Sequence, residues 1–210
     1  NKSYLPKFIP VSDIITYAIF AKKYNKNKND FITKEVGIYE FFCNYRYRIT
    51  EGSMIFSKNT INYLANAKFY FIFNNGDLIG SYCIWDQSKV KQIRVKKYNN
   101  IMKVILPMYN RLSDTFGYTK LQQEGDQIKG RYVCFLSVRD FESTVLEHIL
   151  CNESNKKDNL LYIGLEATSP LAKALNGFIS VKYKSTIYLL DFNSLVDKKY
   201  LKISPEICFL

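Results

Sequence analysis

One stretch, residues 131–192, constrains the fold of this chain more than any other. RYVCFLSV (131–138) is apolar and β-branched, the composition of a buried strand. FESTVLEHIL (141–150) puts Phe141, Val145 and Ile149, with Leu146 and Leu150, on one helical stripe. NLLYIGLE (159–166) reads as a second buried strand. Ser169 then serves as N-cap, with Pro170 at the first helical position, where its missing N–H costs nothing. That short helix carries Leu171, Ala172 and Leu175 and stops at Gly177. VKY and IYLLDF, separated by KST within 181–192, close the unit as two further strands. A strand–helix–strand crossover implies a parallel strand pair.

Upstream, NNGD (74–77) is a turn signal between two β-rich runs, so FYFIFNNGDLIGSYCIWDQ (69–87) reads as a hairpin. YLPKFIPV (4–11) is short and β-like. Ser12-Asp13 reads as the cap of a helix over 14–24, with Ile14, Tyr17, Ala18 and Ala21 on one face. A polar loop (23–30) follows. Thr33 caps a second predicted helix, 34–45, and Ser57 a third, 58–66. YRYRI (45–49) alternates aromatic and Arg, which suits an exposed edge strand and also stacking on nucleic acid. Residues 87–128 are too long for an ordinary connection. They hold a helical stretch, NNIMKVILPMYNRLSDTFGY, which Pro107 should kink or end, and a turn in LQQEGDQIKGRY. This segment reads as an insertion or lid and a candidate for binding or dimerisation. One domain over 1–195 is expected, with a tail (196–210) whose Ile207, Phe209 and Leu210 dock on the body or on another subunit.

Hydrophobic residues make up 47% and charged residues 23% of the 210, a balance that supports a folded core and excludes a disordered chain. The net charge of +11 attracts polyanions: nucleic acid, an anionic membrane or a phosphate-bearing cofactor. Lysine is spread through the chain and Arg is scarce, which argues against nucleic-acid readout and fits a Lys-rich proteome equally well. The five cysteines are odd in number and none forms a C-x-x-C pair, so a reduced, cytoplasmic protein without disulfides or a zinc site is expected. No signal peptide and no run of about 18 apolar residues is visible. A lone histidine, His148, set off the helical stripe as a surface or helix-flank residue, argues against hydrolytic triads and metal chemistry.

The order of elements over 131–192, with Ile79-Gly80 in the second hairpin strand and the WDQ, KQIRVKKY and LPMYN phrases (85–110), resembles the GNAT (GCN5-related) N-acyltransferases, in a bacterial branch. The resemblance implies an α/β fold: a mixed, twisted sheet flanked by helices. It also implies an acyl-CoA-dependent transfer, from acetyl-CoA or another acyl-CoA, to a small-molecule or peptide amine. In that family the loop after the central strand reads Q/R-x-x-G-x-G/A, because backbone N–H groups must approach the pyrophosphate at a helix N-terminus. Here the stretch is Arg139-Asp140-Phe141-Glu142-Ser143-Thr144. Arg139 matches the first position, while Glu142 and Thr144 stand at the two Gly positions. Val138, Arg139, Ser143 and Thr144 are the implied cofactor contacts. Asp140 and Glu142 favour the helix through its dipole and repel a pyrophosphate. The family's tyrosine acid, which protonates the thiolate, is replaced by Asn176; Tyr183, ahead of Tyr188, is the candidate substitute. Asp86, at the end of the hairpin, is the candidate base, with a strand-end cap as its plain alternative. The other reading is an inactive GNAT-like module that binds a protein or anionic partner through Lys89, Lys91, Arg94, Lys96 and Lys97.

Overall fold

The computed structural model describes residues 7–22, 30–45, 64, 66–88, 91–116, 118–154 and 160–191. The strands are β1 (Lys7–Lys22), β2 (Ile32–Val36), β3 (Ala67–Asn74), β4 (Asp77–Asp86), β5 (Gly130–Val138), β6 (Leu160–Glu166) and β7 (Phe178–Asp191). The helices are α1 (Ile38–Tyr45), α2 (Asn100–Phe116) and α3 (Ser143–Ser154), with 3-10 turns at Arg139–Phe141 and Pro170–Gly177. The strands form one seven-stranded sheet in the order β2-β3-β4-β5-β6-β1-β7. Only β5 and β6 run parallel; every other neighbouring pair is antiparallel.

Two clusters fill the two faces. On one, α3 and the 3-10 helix bury Val145, Leu146, Ile149, Leu150, Leu171 and Leu175 against Tyr17, Ile72, Tyr82, Val133 and Ile163. On the other, Phe41 of α1 lies among Phe69, Phe71 and Phe135, beside Trp85, Tyr132 and Tyr162. The hairpin is as read: Asn75 (φ 49°) and Gly76 (φ 87°) form the turn, the left-handed pair that a two-residue loop needs. Ser169 caps the 3-10 helix by accepting a hydrogen bond from the Leu171 N–H, with Pro170 next to it.

Four expectations are corrected. Residues 14–24 are not a helix: β1 continues to Lys22, and Asp13, instead of capping a helix, accepts hydrogen bonds from Thr186 (2.6 Å) and Lys184 (2.7 Å) on β7. These partners, Lys184 foremost, hold its carboxyl below the usual carboxylate range. The helix expected from Lys34 begins at Ile38, after β2, with Gly37 as the break. The final two strands are one 14-residue strand, β7, whose antiparallel partner is the N-terminal strand β1. Pro107 does not end α2, which runs through it for 17 residues. Pro107 and Lys103 are both exposed, so the carbonyl that loses its partner faces water. The helix predicted over 58–66, YRYRI and the 196–210 tail lie outside the described residues, apart from Tyr45, which ends α1, and Leu64 and Asn66.

Candidate functional site

The parallel ladder between β5 and β6 holds only four register pairs, from Gly130↔Leu160 to Val133↔Ile163. β5 then continues to Val138 and β6 to Glu166. Beyond Val133 and Ile163 the parallel ladder stops, and the facing edges of residues 136–138 and 164–166 have no strand partner among the described residues. Their outer edges stay bonded to β4 and β1. The cause is local. The register with β4 jumps between Ser81↔Ser137 and Cys83↔Cys134, so two residues of β5 oppose Tyr82 alone. Phe135 takes φ 50° at this bulge, fully buried. A bulge bends its strand and raises its twist, which steers β5 away from β6. Unpaired backbone edges demand partners, from solvent or from an added chain.

The wedge opens toward the carboxyl ends of both parallel strands, the end where α/β sheets place ligands. After β5 the chain makes the Arg139–Phe141 turn, with Asp140 in the left-handed region (φ 54°), and enters α3 at Ser143. The N-terminal end of α3 therefore stands at the mouth of the wedge. There the Thr144 hydroxyl donates to the Glu142 carboxylate (2.5 Å). The Arg139 guanidinium donates to the Leu78 carbonyl (2.9 Å) and sits 3.7 Å from the Asp77 carboxylate. Arg139 is thus turned toward the β3–β4 hairpin, half-exposed, with Asp140 and Glu142 exposed beside it. Gly80 permits the close approach of α3 to the hairpin, since a Cβ there would meet Val145 Cγ1 at 3.0 Å. Val138, Arg139, Ser143 and Thr144 are therefore brought together at one end of the sheet.

Asp86 is not with them. It pairs in register with Arg131, seven residues before Val138, which puts it about 23 Å away at ~3.3 Å per residue. Its carboxylate accepts the Ser88 N–H (2.9 Å), the strand-end cap. The crevice next to it, bordered by Ser88, Lys91, Gly130 and Tyr132, has about 10 Å³ of space, room for one water. Tyr183 lies on the face of Tyr162 and Gly164, half-exposed, with Thr16 of β1 between it and β6. Two strand spacings, about 10 Å, separate it from β6. A hollow of about 240 Å³ between β2, α1 and β3 is bordered by Val36, Ile38, Leu64 and Phe69 and by the exposed Glu35–Lys68 pair (3.3 Å).

Sequence reasoning did not find Ser81, Ser137 or Glu166. Ser81 and Ser137 face each other across β4 and β5 just past the bulge, and the buried Ser81 hydroxyl has no hydrogen-bond partner among the described residues. A buried hydroxyl left unsatisfied costs about 1–3 kcal/mol. Glu166, exposed, ends β6 at the mouth; its position at the carboxyl end of a parallel strand was the signal that could have picked it out.

His148 is half-buried on the flank of α3, against Phe31 (ring centroids 5.4 Å apart). Its Nε2 lies 3.0 Å from both the Asn152 amide nitrogen and the Thr33 hydroxyl. Burial pushes its pKa below the ordinary value. It braces α3 against β2 and does not face the wedge. A second buried brace ties the other end of α3: Arg131 donates to the Glu153 carboxylate (2.8 Å) and carbonyl (2.6 Å), and the Tyr82 hydroxyl donates to the same carboxylate (3.4 Å). Among the described residues, Cys43, Cys83, Cys134 and Cys151 are free thiols, no group of His, Cys, Asp and Glu could hold a metal, and no helix is long and apolar enough to cross a membrane.

Comparison with known proteins returned nothing: no family model matches the chain, and no significant match was found among curated proteins or among solved structures.

Proposed function

We propose that the chain is a GNAT-like N-acyltransferase domain whose β5–β6 wedge seats an acyl thioester, acetyl-CoA or a longer acyl-CoA. The observation that supports this reading is the single parallel pair that splays after four residues, at a bulge, and leads straight into a helix N-terminus. An extended thioester arm with its own amides can satisfy the free strand edges by adding between them. The N–H groups of α3 favour the phosphates of the carrier. The amine nitrogen of a small molecule or peptide then attacks the thioester carbonyl. The C–N bond forms, the C–S bond breaks, the ammonium proton is lost to a base and the thiolate takes a proton. Glu166 and Ser137 are nearer to this chemistry than Asp86, and Tyr183 reaches it only across two strand spacings. The sheet order departs from the family likeness in one respect: the antiparallel partner of the final strand β7 is the N-terminal strand β1.

One observation favours a second reading, an inactive binding module. Arg139 is engaged by Leu78 and Asp77, and Asp140 and Glu142 put two carboxylates where phosphates would sit. Its partner surface would be the exposed Arg94, Lys96 and Lys97 with Lys91; Lys89 lies outside the described residues.

Calorimetric titration with acetyl-CoA and a longer acyl-CoA at low salt, followed by thiol release with amine acceptors, separates the two. The acyltransferase reading expects saturable binding that Arg139→Ala weakens roughly tenfold, the loss of one charge-assisted hydrogen bond. Absence of binding at millimolar ligand rejects it and leaves the module.

A further inference from the structure

α2 is amphipathic the wrong way round. A surface helix normally turns its apolar stripe to the core. Of the apolar side chains of α2 only Leu106 is buried, and Asn110, Ser113 and the Tyr109 hydroxyl share its side. The Asn110 side chain clamps Leu121, accepting its N–H and donating to its carbonyl, both at 2.8 Å. The Tyr109 hydroxyl donates to the Thr119 carbonyl (3.1 Å), and Ser113 is buried with its hydroxyl on the Asn110 carbonyl (2.8 Å). Asn99 caps the first turn by accepting the Met102 N–H (2.8 Å). The segment is fastened to β1 through the Thr119 N–H on the Phe20 carbonyl (3.1 Å), and the Arg94↔Gln127 bridge closes it on itself.

These bonds fix the rotation of α2, and what they turn outward is apolar. Ile101 (69% exposed), Val104 (78%), Ile105, Met108 (61%), Leu112 and Phe116 (61%) recur at helical spacing and cover one arc of the helix, bordered by Arg111. A contiguous stripe of this kind marks an interaction site. Charge decides the occupant. Over residues 91–129 basic side chains outnumber acidic ones by eight to three, in a chain of net charge +11. Lys103 sits 3.2 Å from Glu124, and Lys97 is also within electrostatic reach of that one carboxylate, so positive charge remains in excess. A second copy would bring the same excess against itself. An anionic bilayer supplies both an apolar layer for the stripe and phosphates for the Lys and Arg around it.

We propose that α2 is an interfacial membrane-docking helix: it lies flat on an anionic lipid surface, with Ile101, Val104, Ile105, Met108, Leu112 and Phe116 in the acyl boundary. The proposal stands independently of the reading of the wedge. The test is co-sedimentation of the full chain with phosphatidylglycerol-containing vesicles and with all-phosphatidylcholine vesicles at low salt, alongside the oligomeric state in solution. The chain should bind the anionic vesicles, bind the neutral ones at least tenfold less, and release as salt rises. Val104→Asp/Met108→Asp should lower binding at least tenfold, since the apolar stripe drives insertion. The thermal melt should not change, because both side chains are exposed. Should that variant fail to fold, Ile101→Ser/Leu112→Ser tests the same stripe. Failure to bind anionic vesicles, binding unaffected by either double variant, or equal binding to neutral vesicles overturns the proposal. So does a wild-type dimer that Val104→Asp/Met108→Asp converts to monomer, which would assign the stripe to self-association.

Discussion

The buried Arg131–Glu153 pair should behave as a brace whose two halves cannot be removed separately. The side chains are 9% and 4% exposed and 2.8 Å apart, and Arg131 also donates to the Glu153 carbonyl. Arg131→Met leaves the Glu153 carboxylate buried without its counter-charge; Glu153→Gln leaves the guanidinium without one. Breaking such a pair costs about 3–5 kcal/mol, because a buried charge remains uncompensated. With a urea slope of about 3 kcal/mol/M, each single variant should lower the unfolding midpoint by about 1–1.7 M. The double variant Arg131→Met/Glu153→Gln removes both charges and should recover much of the loss, so the double-mutant cycle should give a coupling of about 2 kcal/mol or more. The assay is urea unfolding followed by circular dichroism on all four proteins. Additive losses, with coupling near zero, would refute the brace. The consequence reaches the site, since this pair fixes the start of β5 to the end of α3 and thereby sets the turn at residues 139–142.

Three further outcomes follow from single positions. Gly130→Ala should destabilise the chain by about 1–3 kcal/mol, as overpacking does, and lower Tm by several degrees, because the new Cβ would fall 2.3 Å from Tyr162 Cε2; an unchanged melt would show that the Tyr162 ring can move aside. The neutral His148 should make stability pH-dependent. Its folded pKa lies below the ordinary value of 6.5, so the unfolded chain takes up the proton first; stability is full above about pH 6.5, falls as the pH drops through that value toward the folded pKa, and loses this dependence in His148→Gln, as urea midpoints between about pH 7 and pH 5 would read out. Gly76→Ala, at φ 87°, should cost about 1 kcal/mol by thermal melt through the turn alone, leaving ligand binding at the wedge unaltered.

Local chemistry made part of this fold legible. NNGD announces its hairpin because the turn needs two residues with positive φ, and Ser169-Pro170 announces its helix because a cap and a donor-free first position lie side by side. β5, α3 and β6 follow from buried runs and one helical stripe. β1 was unreadable for the opposite reason: it lies inside the sheet, with Ile14, Thr16 and Ala18 buried on one face and Tyr17 and Ile19 on the other, so no alternation survives and an apolar run mimics a helix. Lys184, Ser185 and Thr186 suggested a turn because they are polar, whereas their partners are Asp13, Ile14 and Ile15, some 170 positions away in the chain. For the candidate site, Arg139, Ser143 and Thr144 are where a strand–loop–helix reading puts them. The wedge itself depends on where a ladder stops and on a bulge at Phe135, neither of which leaves a mark in local sequence. Asp86 stands at the opposite end of β5 from Arg139, a separation that a strand-end position in the sequence does not reveal.

The most direct test of the central claim, that the splayed β5–β6 edges seat an acyl thioester, is amide hydrogen exchange on peptides covering 136–144 and 164–166, with and without saturating acyl-CoA. Unpaired amides in these stretches should exchange fast in the free chain and become protected together when ligand is added. Slow exchange in the free chain, or protection that appears elsewhere and leaves these residues unchanged, would contradict the claim.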